Sequence, residues 1–238
     1  MQIQKYTIIT PTGDRHKLFE ICKKYVERQT LKPSQWIIID DGKNPLDTDL
    51  PEFAVYIRRD PKNTDPKHTL PINLRTAFEF VNNEYIYIFE DDDWYHADYV
   101  KESIEYLNNK DLIGFLPPVY YHIPLRKYTT LTDCKKNTSF SATAFRETVI
   151  KKIKSLDVND PYVDMFLWSN IKSSKLWIRD TLYTIGFKGF KNCRRGSSGG
   201  QHSGFYSGKR RVVHEDKDFS FLKSKIGNDI QYYNNFFS

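Results

Sequence analysis

EYIYIFEDDDWY, residues Glu84 to Tyr95, is the stretch on which the reading of the whole chain turns. Its first half alternates Tyr and Ile and ends in Phe89. A short run of aromatic and β-branched residues predicts a buried strand. Its second half sets Glu90, Asp91, Asp92 and Asp93 side by side. A strand that leaves a core straight into four carboxylates is costly, because like charges repel and raise one another's pKa. A divalent cation would offset that cost. Mg²⁺ and Mn²⁺ take one or two carboxylates and complete their shell with phosphate oxygens of a substrate. The plainer reading is a charged strand-to-helix loop that caps the next helix.

Upstream of this run, strands and helices alternate. Tyr6–Thr10 predicts a first strand, stopped by Pro11, Thr12 and Gly13. His16–Gln29 carries Leu18, Ile21, Cys22, Tyr25 and Val26 on one helical side. Gln35–Ile39 predicts a second strand ending at Asp40, Asp41 and Gly42, and Val55–Arg58 a third. Leu74, Ala77, Phe78 and Val81 then fall at helical spacing. Alternation of this kind implies a mostly parallel sheet with helices on both faces, an α/β fold. Ligands bind such sheets beyond the carboxyl ends of the strands. Thr10-Pro11, Asp40-Asp41 and Glu90–Asp93 therefore converge on one edge.

The 238 residues suffice for one α/β domain with a sizeable core. The net charge of +6 points to a polyanionic partner: nucleic acid, an acidic membrane face or a diphosphate. No apolar run approaches the roughly 20 residues of a membrane helix, and MQIQKYTIIT lacks the layout of a signal peptide. Cys22, Cys134 and Cys193 are odd in number and share no metal-like spacing. A cytoplasmic location is expected, which for a phage-encoded chain is the host's cytoplasm.

FEDDDW after an apolar strand resembles the DxD region of family-2-like GT-A glycosyltransferases, whose form is roughly apolar-D-x-D-D-W. The resemblance implies a single Rossmann-like GT-A domain, with a nucleotide-sugar half over about residues 1–100 and an acceptor half over about 101–238. It implies Mn²⁺ or Mg²⁺ as cofactor and Asp91, Asp92 and Asp93 as metal ligands. Because Glu90 stands where the family has its first Asp, the DxD pair is Asp91 with Asp93 or Glu90 with Asp92. ITPTGDR resembles the family's first strand and turn, implying donor contacts from Thr10, Pro11 and Thr12. IIIDDG resembles the second strand end, implying the same for Asp40 and Asp41. Arg75 matches a basic helix start loosely, and either reaches the nucleotide or is a solvated helix residue.

Downstream, Tyr99–Leu107 predicts a helix with Val100, Ile104 and Leu107 inward, and Ile113–Leu116 a strand. Residues 119–145 lack helical period and predict short strands on the acceptor side. In SFSATAFR, residues 139–146, the resemblance implies a turn near the donor sugar and an Arg opening a helix. In VNDPYVDMFLW, Asp160-Pro161 reads as a helix cap followed by Pro at the first position. The family places its catalytic base here, and Asp160 and Asp164 both fit. Direct displacement with inversion, by hexosyl or pentosyl transfer, is the implied chemistry.

Seven of the eleven glycines lie between Gly186 and Gly208, among Lys188, Lys191, Arg194, Arg195, Lys209, Arg210 and Arg211 and without an acid. This basic loop, 186–214, predicts a grip on the donor diphosphate, with Arg194 and Arg195 foremost, or on a polyanionic acceptor. The family often supplies a metal-ligating His after a mobile loop. His214 fits, with His202 second. A UDP-sugar is the favoured donor. The expected acceptor is a hydroxymethylated base in DNA, as in phage-type DNA glycosyltransferases, ahead of a cell-surface polysaccharide or lipooligosaccharide. A non-enzymatic nucleic-acid-binding module would explain the basic loop but not the acids.

Overall fold

The computed structural model describes residues 4–131, 136–172, 174–179, 181–190 and 212–237. In chain order its strands are β1 (Tyr6–Thr12), β2 (Gln35–Asp40), β3 (Ala54–Arg58), β4 (Tyr85–Ile88), β5 (Trp94–Tyr95), β6 (Leu112–Leu116), β7 (Val119–His122), β8 (Lys127–Thr130), β9 (Thr143–Arg146), β10 (Lys175–Arg179), β11 (Thr184–Lys188) and β12 (His214–Glu215). Its helices are α1 (His16–Glu27), α2 (Leu70–Ala77), α3 (Ile150–Lys154), α4 (Val163–Asn170) and α5 (Ser220–Ile226).

The central sheet has the order β10-β6-β9-β4-β1-β2-β3. β3, β2, β1 and β4 run parallel, and β9 is antiparallel to both its neighbours. The chain steps outward from β1 to β3 and then returns to the other side of β1 for β4. That reversal is a topological switch point, where adjacent connections part and leave a crevice beyond the strand ends. Thr12 ends one wall of this crevice and Glu90 follows the other.

Side chains alternate along the strands, so each face needs its own cover. Tyr6, Ile8, Trp36, Ile38 and Tyr87 pack with Phe19, Cys22 and Tyr25 of α1. Ile9, Ile37, Ile39, Ile86 and Ile88 pack with Leu74 and Ala77 of α2 and Val163 and Leu167 of α4. Both faces are thus buried, which is why these strands read as near-continuous apolar runs. A second sheet, ordered β12-β8-β7-β11-β5, joins through β5 directly after the acids.

Two local expectations are corrected. Residues 99–107 form turns and a 3₁₀ segment, Ile104–Asn108, rather than a helix. The Ser103 hydroxyl donates to the Tyr99 carbonyl, competing with a regular helical ladder; Val100, Ile104 and Leu107 are still buried. α2 stops at Ala77, short of Val81, because the Gln35 side chain captures the Phe80 carbonyl and the Asn82 N–H. Arg146 ends β9 and, as expected, opens a helical segment: it caps the 3₁₀ turn Glu147–Val149 that runs into α3. The tail aromatics cover the core edge as expected: Tyr233 is buried, and Phe219, Phe221, Tyr232, Phe236 and Phe237 pack on the core. Among the described residues, no helix is long and apolar enough to cross a membrane.

Candidate functional site at the acidic loop

The four carboxylates occupy a loop closed by its own aromatic residues. The Tyr95 ring stacks on Phe89 at 3.9 Å between centroids, nearly parallel. Its hydroxyl accepts the Glu90 N–H at 2.6 Å and faces the Glu90 carbonyl at 3.3 Å. The Asp93 N–H donates back to the Glu90 carbonyl at 3.3 Å.

Within this loop Asp91 and Asp93 are anchored inward. Asp91 accepts the Thr12 hydroxyl at 2.6 Å and lies 2.6 Å from an Arg15 guanidinium nitrogen. Asp93 accepts the Phe187 N–H at 2.9 Å, and the Ser141 hydroxyl also stabilises its charged form. Asp92 lies 3.7 Å from Arg15 and in the field of the Lys188 ammonium. Glu90, half-buried, shares the fields of Asp93, Asp92, Lys188 and Asp164.

Burial sets the electrostatics. It raises Glu90 well above the ordinary carboxylate range, with Asp93 and Asp92 adding to the rise. It pushes Asp91 up to about 7 against the pull of Arg15 and Thr12, and Asp93 up to about 6 against Lys188. Burial alone would lower Lys188, but Asp93, Asp92 and Glu90 outweigh it and raise the ammonium. Fully ionised, four carboxylates face the two cations Arg15 and Lys188, leaving an excess of negative charge. A folded chain with raised carboxyl pKa values holds protons that the unfolded chain releases, so these groups stabilise the fold at low pH and lose that stabilisation as pH rises towards 7. In chelator, the melting temperature should therefore rise when the pH is lowered from 7.5 to 6. A flat or falling profile would count against the strained charge of the loop.

The donor set suits a divalent cation bound together with a substrate. Among the described residues, no three His, Cys, Asp or Glu side chains converge at metal-binding spacing. A cation here would take one or two carboxylates and rely on substrate oxygens for the rest, the habit of Mg²⁺.

The ends of β1 and β2 are built differently from one another. Thr10 turns its hydroxyl to accept the Trp36 indole N–H at 2.9 Å, inside the core. Pro11 is buried opposite Ile39 in the β1–β2 register. Asp40 accepts the Gly42 N–H, the Leu46 N–H and the Tyr56 hydroxyl, which commits it to holding its own turn. Asp41 pairs with Arg59 at 2.8 Å, and Arg59 also grips Asp65 and Asn73. A Cβ on Gly13 would lie 2.5 Å from an Asp41 carboxylate oxygen and 3.0 Å from the Gly42 nitrogen. Gly13→Ala should therefore shift the turn and cost about 1–3 kcal/mol of stability, read as a lowered melting temperature; an unchanged melt would contradict this packing. Arg75 donates to the Leu156 carbonyl, tying α2 to the end of α3, so it is not a freely solvated helix residue.

The model of glycosyl transferase family 2 matches residues 7–158, well over half the chain. The chain belongs to glycosyltransferase family 2. Solved structures support the fold. TarS 1–349 of S. aureus in complex with UDP-GlcNAc aligns with a TM-score of 0.56 at 12% identity, over 82% of this chain and 60% of that one. The mannosyltransferase PcManGT of Pyrobaculum calidifontis, solved with GDP-Man and Mn²⁺, aligns with a TM-score of 0.55 at 13% identity, over 82% and 59%. A longer TarS structure gives 0.55 at 11% identity, over 77% and 37%. The chain thus spans 60% or less of the length of these neighbours, and the likeness is one of GT-A fold. A search of curated proteins finds no match.

α4 separates the two aspartates expected as the catalytic base. α4 starts at Val163, so Asp160 and Pro161 lie outside the helix, not at its cap and first turn. Asp160 accepts the Tyr162 N–H at 2.9 Å, a local turn. Asp164 stands in the first turn of α4; burial raises its carboxyl, and its field reaches Glu90, Tyr120 and Lys188. Among the described residues, His214 joins no group of three metal-capable side chains. It lies on β12, stacked on Tyr128, at the opposite edge of the second sheet from β5. Arg194, Arg195, Lys191, His202, Lys209, Arg210 and Arg211 lie outside the described residues.

Arg15 is the site cation that sequence reading did not single out; Lys188 is the one described member of the basic run expected at the diphosphate, and it faces the acids. Arg15 closes the ITPTGDR turn already expected at the donor. Lys188 ends a strand, β11, whose short apolar run sits between glycine-rich and polar segments.

Proposed function

We propose that this family-2 glycosyltransferase moves a sugar from a nucleotide-sugar, a UDP-sugar first among candidates, to an acceptor hydroxyl with inversion, in a Mn²⁺- or Mg²⁺-dependent reaction. The observation that carries the proposal is the loop Glu90–Asp93, set beside the β1–β4 switch point of a family-2 chain with Arg15, Lys188 and Asp164 around it. Solved neighbours hold UDP-GlcNAc or GDP-Man, which supports the donor class.

The carboxylates of this proposal that would hold the cation come from Glu90–Asp93, as Glu90 with Asp92 or as Asp91 with Asp93. The bound cation would offset charge developing on the leaving diphosphate. Arg15 fixes Asp91, and Lys188 adds positive charge at the same place. Asp41, held by Arg59, serves the nucleotide from the end of β2, with Thr12 at the end of β1. Asp164 takes the proton of the attacking hydroxyl. A raised carboxyl is the better proton acceptor near neutral pH, and burial raises that of Asp164. Residues 1–100 form the donor half and 101–238 the acceptor half, acting in the cytoplasm.

A panel of UDP- and GDP-sugars, scored for slow release of the nucleoside diphosphate with and without EDTA, tests the donor class. At least one donor should turn over with Mn²⁺ and none in excess chelator. Turnover of no donor would overturn the reading; full turnover in chelator would remove the metal from it. The net charge of +6 favours a hydroxymethylated base in DNA as acceptor over a surface glycan. Duplex affinity should then fall by roughly 0.9 log units per log unit of salt for each neutralised phosphate. Replacing Arg194, Arg195, Arg210 and Arg211 with Ala should flatten that slope. A duplex that binds no better than a neutral oligosaccharide at low salt would move the acceptor to the glycan class.

A further inference from the structure

The family match ends at residue 158, yet a carboxylate far beyond it grips the acidic loop. Asp229 lies in the C-terminal 3₁₀ segment Gly227–Phe236. One of its oxygens accepts the Trp94 indole N–H at 2.7 Å, and the other accepts an Arg28 guanidinium N–H at 2.7 Å. The second guanidinium nitrogen of Arg28 donates to the Tyr95 carbonyl at 2.6 Å. Asp229, Trp94, Tyr95 and Arg28 thereby close a ring of contacts that holds both residues of β5. Trp94 follows Asp93 directly, and the Tyr95 hydroxyl engages the Glu90 backbone. Four adjacent carboxylates repel one another, so a fixed spacing among them needs rigid attachment at the loop ends. A separate bond, from the Tyr25 hydroxyl to the Tyr233 hydroxyl at 2.8 Å, anchors the same segment to α1 without touching β5.

We infer that Asp229 is a positioning residue: through Trp94 and Tyr95 it holds the loop Glu90–Asp93 so that its carboxylates can receive a cation and a nucleoside diphosphate together. This rests on the donor-site reading above. Calorimetric titration of UDP in the presence of Mn²⁺ tests it on the full chain. Asp229→Asn should weaken binding by about tenfold, the scale of one charge-assisted hydrogen bond. Trp94→Phe, which keeps the aromatic packing and loses the N–H, should do the same. The double variant should bind no more weakly than either single one, because both break one link. Tyr233→Phe should lower the melting temperature and bind within twofold of wild type. Asp229→Asn binding within twofold of wild type, additive losses in the double variant, or equal weakening by Tyr233→Phe would each overturn the inference. Wild-type chain that binds neither UDP nor GDP with Mn²⁺ would overturn the donor-site reading itself, and this inference with it.

Discussion

Asp92→Asn should cut sugar transfer by at least about a hundredfold, the scale of removing a group that stabilises developing charge. The fold should survive. Asp92 is buried in a loop already carrying excess negative charge, so the neutral amide relieves repulsion with Asp91, Asp93 and Glu90. In chelator the variant should melt no lower than wild type, and about 1 kcal/mol of relief would raise the midpoint by roughly 2–4 °C for a chain of this size. Stability and activity moving in opposite directions is the behaviour of a strained functional site. Asp91→Asn should be milder, since an amide can still accept the Thr12 hydroxyl. Steady-state transfer and thermal melts on both variants check this; full activity of Asp92→Asn would remove Asp92 from the site.

Asp164→Asn should lower the turnover of transfer by about a hundredfold or more while donor affinity is kept, the signature of a lost general base. Asp160→Asn should stay within severalfold of wild type, since it loses only a turn contact to the Tyr162 N–H. If Asp164→Asn turns over normally, the base lies elsewhere. If Asp160→Asn is the inactive one, the two roles are exchanged.

The fold was legible because its evidence is local. Alternating Tyr and Ile in 85–88 and the apolar runs of β1 and β2 state their burial in their own composition. The acidic loop was legible for the same reason. What could not be read depends on long-range pairing. Residues 175–179 and 184–185 show no clear period, and they become β10 and part of β11 only through pairing with β6 and β5. Asp40 and Asp41 look alike in sequence; the Tyr56 hydroxyl and the Leu46 N–H commit the first, and Arg59 holds the second. His214 followed a glycine-rich segment in sequence, and its place on β12 comes from antiparallel pairing with β8. Asp229 gave no signal at all, because its partners Arg28 and Trp94 are remote in sequence.

The most direct test of the acidic loop as a donor site is the melting temperature of wild type and Asp92→Asn with UDP, in Mn²⁺ and in EDTA. UDP with Mn²⁺ at a hundred times its dissociation constant should stabilise wild type by about 2.7 kcal/mol, a rise of roughly 5–10 °C. The rise should vanish in EDTA and in Asp92→Asn. An equal rise in Asp92→Asn, or in EDTA, would contradict the account.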